Sequence, residues 1–216
     1  MFKLHGERNS GTNFLTELFE KNFAFSCFQE FYEMNNCYYW KHGAPLPKRN
    51  DKQIDIFIIR ELDNWLLSMY HKPYHLENKL TFHQFLTEKQ IPNDTWTKDG
   101  FTNKPINHTD FEKNIFEIRY FKLDKILEYV RENTNTILVR LEYIQNPANC
   151  KLFLEAINKI YNLNKHTEFI TSLPYVKNTG EKLNIRDYTD IIASKKNKTH
   201  EDFINKLTFI INYSPN

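Results

Sequence analysis

Glycine is scarce in this chain, with 5 in 216 residues. Positive-φ turns and close backbone approaches are therefore confined to few places, and where the glycines fall carries information. Cysteine is scarcer still, at 3. Cys27, Cys37 and Cys150 are odd in number and spaced like neither a zinc pattern nor a disulfide framework, so reduced, buried thiols are expected. Neither sign of charge dominates: 29 Lys and Arg face 27 Asp and Glu, for a net charge of +2. That balance gives no reason to expect a broad basic surface, so no nucleic-acid partner is expected and any charge logic must be local. No apolar run approaches the length that spans a bilayer, and the chain enters a strand-like segment at once, without room for the apolar core of a signal peptide. The expectation is a soluble, cytoplasmic protein with no membrane partner. With 40% hydrophobic and 26% charged residues the composition is that of a globular protein, and the length suits one core, so a single domain over 1–216 is expected.

What is there alternates between short apolar runs and longer segments of helical period, the pattern of strands and crossover helices. The spacing predicts an α/β fold, a three-layer parallel sheet flanked by helices. "MFKLH" opens it as a strand. A helix over about Thr12 to Asn22 follows, with Phe14, Leu15, Leu18 and Phe19 on one face. Cys37 to His42 is a second strand. Ile54 to Arg60 is the strongest, a near-continuous apolar run suited to burial on both faces. Asp63 is placed to cap a helix over Trp65 to His71. The stretch from Pro92 to Pro105 is long for a loop and is a candidate lid over an acceptor. A long amphipathic helix from about Asp110 to Asn133 precedes a strand, "TILVRL", and a helix opening at Pro147. The last helix is expected near Glu201 to Ile211.

Two of the few glycines, Gly6 and Gly11, bracket the turn between the first strand and its helix. Such a turn aims main-chain N–H groups at one point and adds the positive end of the helix dipole, which makes an anion site and most often a phosphate site. The glycine spacing is that of a P-loop, yet Thr12 stands at the lysine position and Asn13 at the Mg²⁺-binding hydroxyl position. A nucleotide triphosphatase is expected to keep both. Arg8, Asn9, Ser10, Gly11, Thr12 and Asn13 are the candidate phosphate ligands. A second element joins them: Arg60 closes the strongest strand, where open α/β sheets bind ligands, and Ser68 lies on the helix that follows.

Together, "GERNSGTNF", the strand ending in Arg60 and Ser68 within "LLSMY" resemble the sulfotransferases that use 3′-phosphoadenosine 5′-phosphosulfate (PAPS) as donor. "WKHG" is similar to the Lys-x-His segment of cytosolic members, and "ILVRLEYIQNP" to the family's strand ending in Tyr-Glu-Asp-Leu, so the likeness runs over residues 1 to about 160. The resemblance implies a P-loop NTPase-like core. It implies that the loop cradles the 5′-phosphosulfate, that Arg60 and Ser68 hold the 3′-phosphate, and that Phe14 stands where many members stack a tryptophan on adenine; core packing is the other role open to Phe14. Asn9 stands where the family usually carries Lys or Arg, with the cation displaced to Arg8, and Lys41 is the candidate for the missing charge. His42 is the candidate base for the acceptor, with His71 and His75 as fallbacks. Glu142 falls at a motif position and is expected to be structural. No metal is expected, because the leaving phosphate is not a pyrophosphate. The acceptor is a small molecule or glycan hydroxyl, or an amine, with carbohydrate first. A P-loop small-molecule or nucleotide kinase with a degenerate loop, and a nucleotide-binding module without catalysis, are the alternatives.

Overall fold

The computed structural model describes residues 2–7, 9–23, 32–34, 37–39, 53–72, 80–89, 114–163, 168–173 and 183–214, with the two short strands at 32–39 described by their backbone alone. The architecture is α/β. Strands β1 (Phe2–Gly6), β4 (Ile54–Ile59), β5 (Thr136–Arg140) and β6 (Phe209–Asn212) form one sheet in the order β1-β4-β5-β6. The first three run parallel and β6 lies antiparallel on β5, so the expected all-parallel sheet carries an antiparallel edge. The segment expected to be helical up to Ile211 therefore divides. Helix α8 (Lys198–Lys206) stops and Phe209–Asn212 become strand, because the β-branched and aromatic run "FII" suits a pleated surface better than a helix. Cys37–Tyr39 is a strand, β3, but it pairs with β2 (Tyr32–Met34) in a separate antiparallel hairpin.

The period of two along β4 explains the layers. Ile54, Ile56 and Ile58 face one side, where they meet Phe2 and Leu4 of β1, Leu15, Leu18 and Phe19 of helix α1 (Thr12–Asn22) and Phe153, Leu154 and Ile157 of α6 (Pro147–Tyr161). Phe57 and Ile59 face the other, against Leu123, Ile126 and Val130 of α4 (Ile115–Glu132) and Ile204 of α8. Each such apolar side chain, fully buried, stabilises the fold by about 1.5–3 kcal/mol. A third apolar cluster joins α2 (Leu62–His71), α3 (Phe82–Thr87) and the start of α4, with Trp65 and Phe85 at its centre. Helix α1 spans its expected residues, and α6 opens at Pro147 with Asn146 capping from its side chain. Helix α2 begins earlier than expected, after Glu61, which leaves Asp63 exposed in the first turn rather than at the cap. Helix α3 was not expected. It is fixed by a capping box in which Thr81 and Gln84 bond each other's main-chain N–H, a pattern visible in the sequence. Among the described residues no helix is long and apolar enough to cross a membrane.

The same parity puts polar side chains on the α4 side of β1. His5 stacks on Phe57 with ring centroids 4.6 Å apart and bonds Asp55 from Nε2 at 2.9 Å. Asp55 also accepts from Gln53 at 2.8 Å and from the Tyr129 hydroxyl at 2.9 Å. Burial pushes the His5 imidazole below its usual 6.5. Burial alone would raise the Asp55 carboxyl, but the bonds from His5, Gln53 and Tyr129 outweigh it and hold the group below the usual range. The three donated bonds account for the low carboxyl, whereas the imidazole is lowered by burial against the opposing pull of Asp55. Cys150 is free and buried, and burial lifts its thiol to about 11. The side chains of Cys27 and Cys37 lie outside the described residues.

Candidate functional site

The carboxyl ends of β1, β4 and β5 meet at one edge of the sheet, since Gly6 is in register with Ile58 and Ile59 with Arg140. The turn after β1 is closed on itself. Ser10 donates to the Glu7 carbonyl from its main-chain N–H at 3.1 Å and from its hydroxyl at 2.7 Å. Asn9 takes a left-handed φ of 59° and Gly11 one of 101°, conformations that asparagine and glycine adopt most readily. A Cβ on Gly6 would overlap Ser10 Oγ and lie 2.8 Å from the Ile58 carbonyl oxygen; one on Gly11 would lie 2.8 Å from Leu141 Cδ1. Gly6 is therefore required by close approach to main chain, and Gly11 by its left-handed backbone. Helix α1 starts at this turn with Gly11, which has no side chain to cap it, at its N-cap.

Asn9 ties the turn to the other elements. Its carbonyl accepts from Arg60 Nη1 at 3.1 Å. Its side-chain Nδ2 lies 3.3 Å from the Ser68 carbonyl, 3.2 Å from Met69 Sδ and 3.3 Å from the Lys72 carbonyl, sealing the carbonyl end of α2. The loop thus converges with two positions 51 and 59 residues away along the chain, the arginine at the end of β4 and the Ser68 turn of α2. Ser10 is fully buried and its hydroxyl faces inward, Thr12 is buried, and Asn13 is exposed at the start of α1. Phe14 is half-buried and packs on the main core. His71 ends α2, with its ring 5.7 Å from Tyr70. Arg8, Lys41, His42 and His75, and the expected lid over Pro92 to Pro105, lie outside the described residues.

The turn also carries a carboxylate, Glu7, whose charge would repel an anion if it faced outward. It is turned inward instead. Arg119 of α4 reaches Glu7 from Nη1 at 3.0 Å, Glu201 of α8 from Nε at 3.1 Å and the Arg60 carbonyl from Nη2 at 2.7 Å, with its guanidinium 4.8 Å from the Trp65 ring centroid. All three side chains of this network are buried. Burial raises the Glu7 carboxyl above its ordinary 4.5 against the pull of Arg119. Arg119 fastens the root of the loop to the root of Arg60. Sequence reasoning missed it, although it lies four residues after Ile115 and four before Leu123, on the face of α4 that the apolar spacing marks as buried.

Beside Arg60 two ion pairs cross. Arg60 Nε is 3.6 Å from Glu142 Oε1, and Arg140 Nη1 is 3.0 Å from Glu61 Oε1. Glu142, at the start of α5 (Leu141–Ile144), also accepts from the Glu61 N–H at 3.2 Å and from Asn64 at 3.2 Å. Burial, and next the charge of Glu142, raise the Glu61 carboxyl. The edge therefore carries a helix N-terminus with glycine at its cap, a turn narrowed by two glycines and a part-buried arginine beside it. A helix N-terminus and a guanidinium are both groups that can attract an anion. Among the described residues no three His, Cys, Asp or Glu side chains are grouped so as to hold a metal ion. The chain matches no protein-family model, no curated protein and no solved structure.

Proposed function

We propose that the chain is a sulfotransferase that moves a sulfuryl group from PAPS to a hydroxyl or amine acceptor, with carbohydrate as the first acceptor class, on a P-loop-type core. The observation that carries this reading is the double role of Asn9, whose carbonyl holds Arg60 and whose side chain holds the Ser68 turn. A kinase loop needs one polyphosphate cradle. A donor with a 3′-phosphate needs a second anion site at a fixed distance from the first, and Arg60 beside the loop meets that need.

In this reading the start of α1 and the loop, with Arg8, Gly11, Thr12, Asn13 and Phe14, hold the 5′ end of the donor and its adenine, while Arg60 and Ser68 take the 3′-phosphate; Ser10, whose two donors go to the Glu7 carbonyl, and Asn9, whose amide goes to the end of α2, shape the turn rather than bind through their side chains. The main-chain N–H groups stabilise the charge that develops on the leaving phosphate oxygen. His42 accepts the acceptor's proton as the acceptor oxygen or nitrogen bonds sulfur and the sulfur–oxygen bond to the phosphate breaks. Lys41 supplies the cation that Asn9 does not. Thr12 and Asn13 replace the lysine and hydroxyl of a Mg²⁺-dependent P-loop, so the reaction needs no divalent metal.

The test is transfer of radiolabelled sulfate from PAPS to a panel of sugars, phenols and peptides, with EDTA present. Transfer that survives EDTA is expected. Phosphoryl transfer from ATP that EDTA abolishes and Mg²⁺ restores would make the chain a kinase, and selective nucleotide binding with no transfer to any acceptor would make it a binding module.

A further inference from the structure

Glu142 was expected to be structural, and its surroundings give it a second task. Its carboxylate lies against Arg60 at 3.6 Å, on the side of the guanidinium away from the loop carbonyl that Nη1 holds at 3.1 Å. Both side chains are largely withdrawn from water, at 13% and 17% exposure, so the pair is poorly screened. Glu142 is itself oriented by the Glu61 N–H and by Asn64, and the preceding residue, Leu141, packs against Gly11 of the turn.

We infer that Glu142 is an internal counter-anion of Arg60, which holds the guanidinium in place between ligands and competes with the phosphate monoester that a nucleotide ligand presents to it. The inference rests on the reading of the loop and Arg60 as a two-phosphate site. A second anion brought to Arg60 meets the Glu142 charge at close range, so each phosphate bond formed is opposed by that repulsion and by loss of the existing pair. Affinity for the 3′-phosphate is thereby held below what Arg60 alone would give. Such weakening favours release of the spent bisphosphate, a step that limits many enzymes. A merely structural carboxylate has the opposite signature, because its removal disturbs Arg60 and weakens binding.

The experiment is calorimetric titration of the wild type, Glu142→Gln, Arg60→Ala and the double variant with adenosine 3′,5′-bisphosphate and with adenosine 5′-phosphate. Glutamine keeps an oxygen for the Glu61 N–H and removes the charge. Glu142→Gln is expected to bind the bisphosphate roughly tenfold more tightly, to bind adenosine 5′-phosphate as before, and to lose its gain when Arg60 is alanine. Unchanged or weaker bisphosphate binding by folded Glu142→Gln overturns the inference. Equal gains for both nucleotides keep Glu142 as a competitor but remove the 3′-phosphate from Arg60, which separates failure of the donor assignment from failure of this one. Binding of neither nucleotide by any variant overturns both. If Glu142→Gln does not fold, Glu142→Asp draws the carboxylate back by one methylene and is expected to give a smaller gain of the same sign; no gain there is equally decisive against it.

Discussion

Arg60 donates from Nη1 to the main-chain carbonyl of Asn9 at 3.1 Å, bonding the end of β4 to the middle of the turn that follows β1. The root of the same strand end is fixed from below, where Arg119 donates to the Arg60 carbonyl at 2.7 Å and to Glu7 at 3.0 Å. Loop and arginine are thus held in one frame by bonds that do not use the ligand. Such pre-organisation lowers the ordering cost of binding.

Replacing Gly6 or Gly11 should loosen that frame in different ways. Gly6→Ala sets a methyl 2.8 Å from the Ile58 carbonyl oxygen, main chain that the sheet holds in place. Gly11→Ala forces a left-handed residue, at about 1–2 kcal/mol, and presses on Leu141, whose side chain has some freedom. Both variants are expected to melt lower than wild type in differential scanning calorimetry, with Gly6→Ala the worse. Equal melting of Gly6→Ala and wild type would mean that β1 and β4 separate more easily than their register indicates.

Arg119→Met leaves Glu7 and Glu201 buried without their cation, and a loss of about 3–5 kcal/mol is expected in urea unfolding. Arg119→Lys should recover little, since one ammonium cannot reproduce the fork to two carboxylates and a carbonyl. Adding Glu7→Gln to Arg119→Met should restore part of the loss by removing one stranded charge. An additive double variant would show that the Arg119 to Glu7 bond carries no coupling.

The His5 and Asp55 pair makes stability sensitive to acid. The unfolded chain takes a proton on His5 near the ordinary 6.5, whereas the folded imidazole, pushed down by burial, does so only at lower pH. The unfolded state therefore gains protons first, and stability falls as pH drops below about 6.5. Asp55, also held low, extends the loss as pH falls below 3.8 and on through its folded value. Glu7 acts in the opposite sense, because its raised carboxyl binds a proton in the fold before it does in the unfolded chain. The His5 share is isolated by comparing His5→Gln with wild type in urea unfolding from pH 7.5 to 5. The slope with pH is expected to be shallower in the variant. Identical slopes would mean that His5 is not held neutral by the fold.

The base assigned to the acceptor is tested by kinetics. His42→Ala is expected to lower turnover by roughly 10²–10⁴-fold with donor affinity nearly unchanged, because proton removal matters in the transition state only. Lys41→Ala should lower turnover and also weaken the sulfated donor, with little change for the desulfated product. Full turnover in both would move the search for the base to His71 and His75.

Local signals made much of the framework legible from sequence. The one-face spacing of Phe14, Leu15, Leu18 and Phe19 reads as a helix over Thr12 to Asn22, and α1 occupies Thr12–Asn22; the run "IDIFII" lies on both apolar faces and is β4. Pairings that depend on distant chain were not legible. "FII" near the end, a run that suits a strand, becomes one where β5 offers it an open edge, and Cys37–Tyr39 pairs with β2 rather than with the main sheet. At the site, the glycine turn and the arginine closing the strongest strand were visible in the sequence, and the structure brings them into contact. The inward turn of Glu7 and its arginine were not, since Arg119 is 112 positions away and a lone cation in a helix is ordinarily solvated.

The central claim is that Arg60 is the seat of a 3′-phosphate. Isothermal titration of wild type and Arg60→Ala with adenosine 3′,5′-bisphosphate and adenosine 5′-phosphate tests it most directly. Loss of charge-assisted bonds to one phosphate should weaken the bisphosphate by roughly 10–100-fold in Arg60→Ala, while adenosine 5′-phosphate changes little, and Ser68→Ala should show the same selectivity more mildly. Equal losses for both nucleotides would make Arg60 a strut of the loop alone, and the claim would be contradicted.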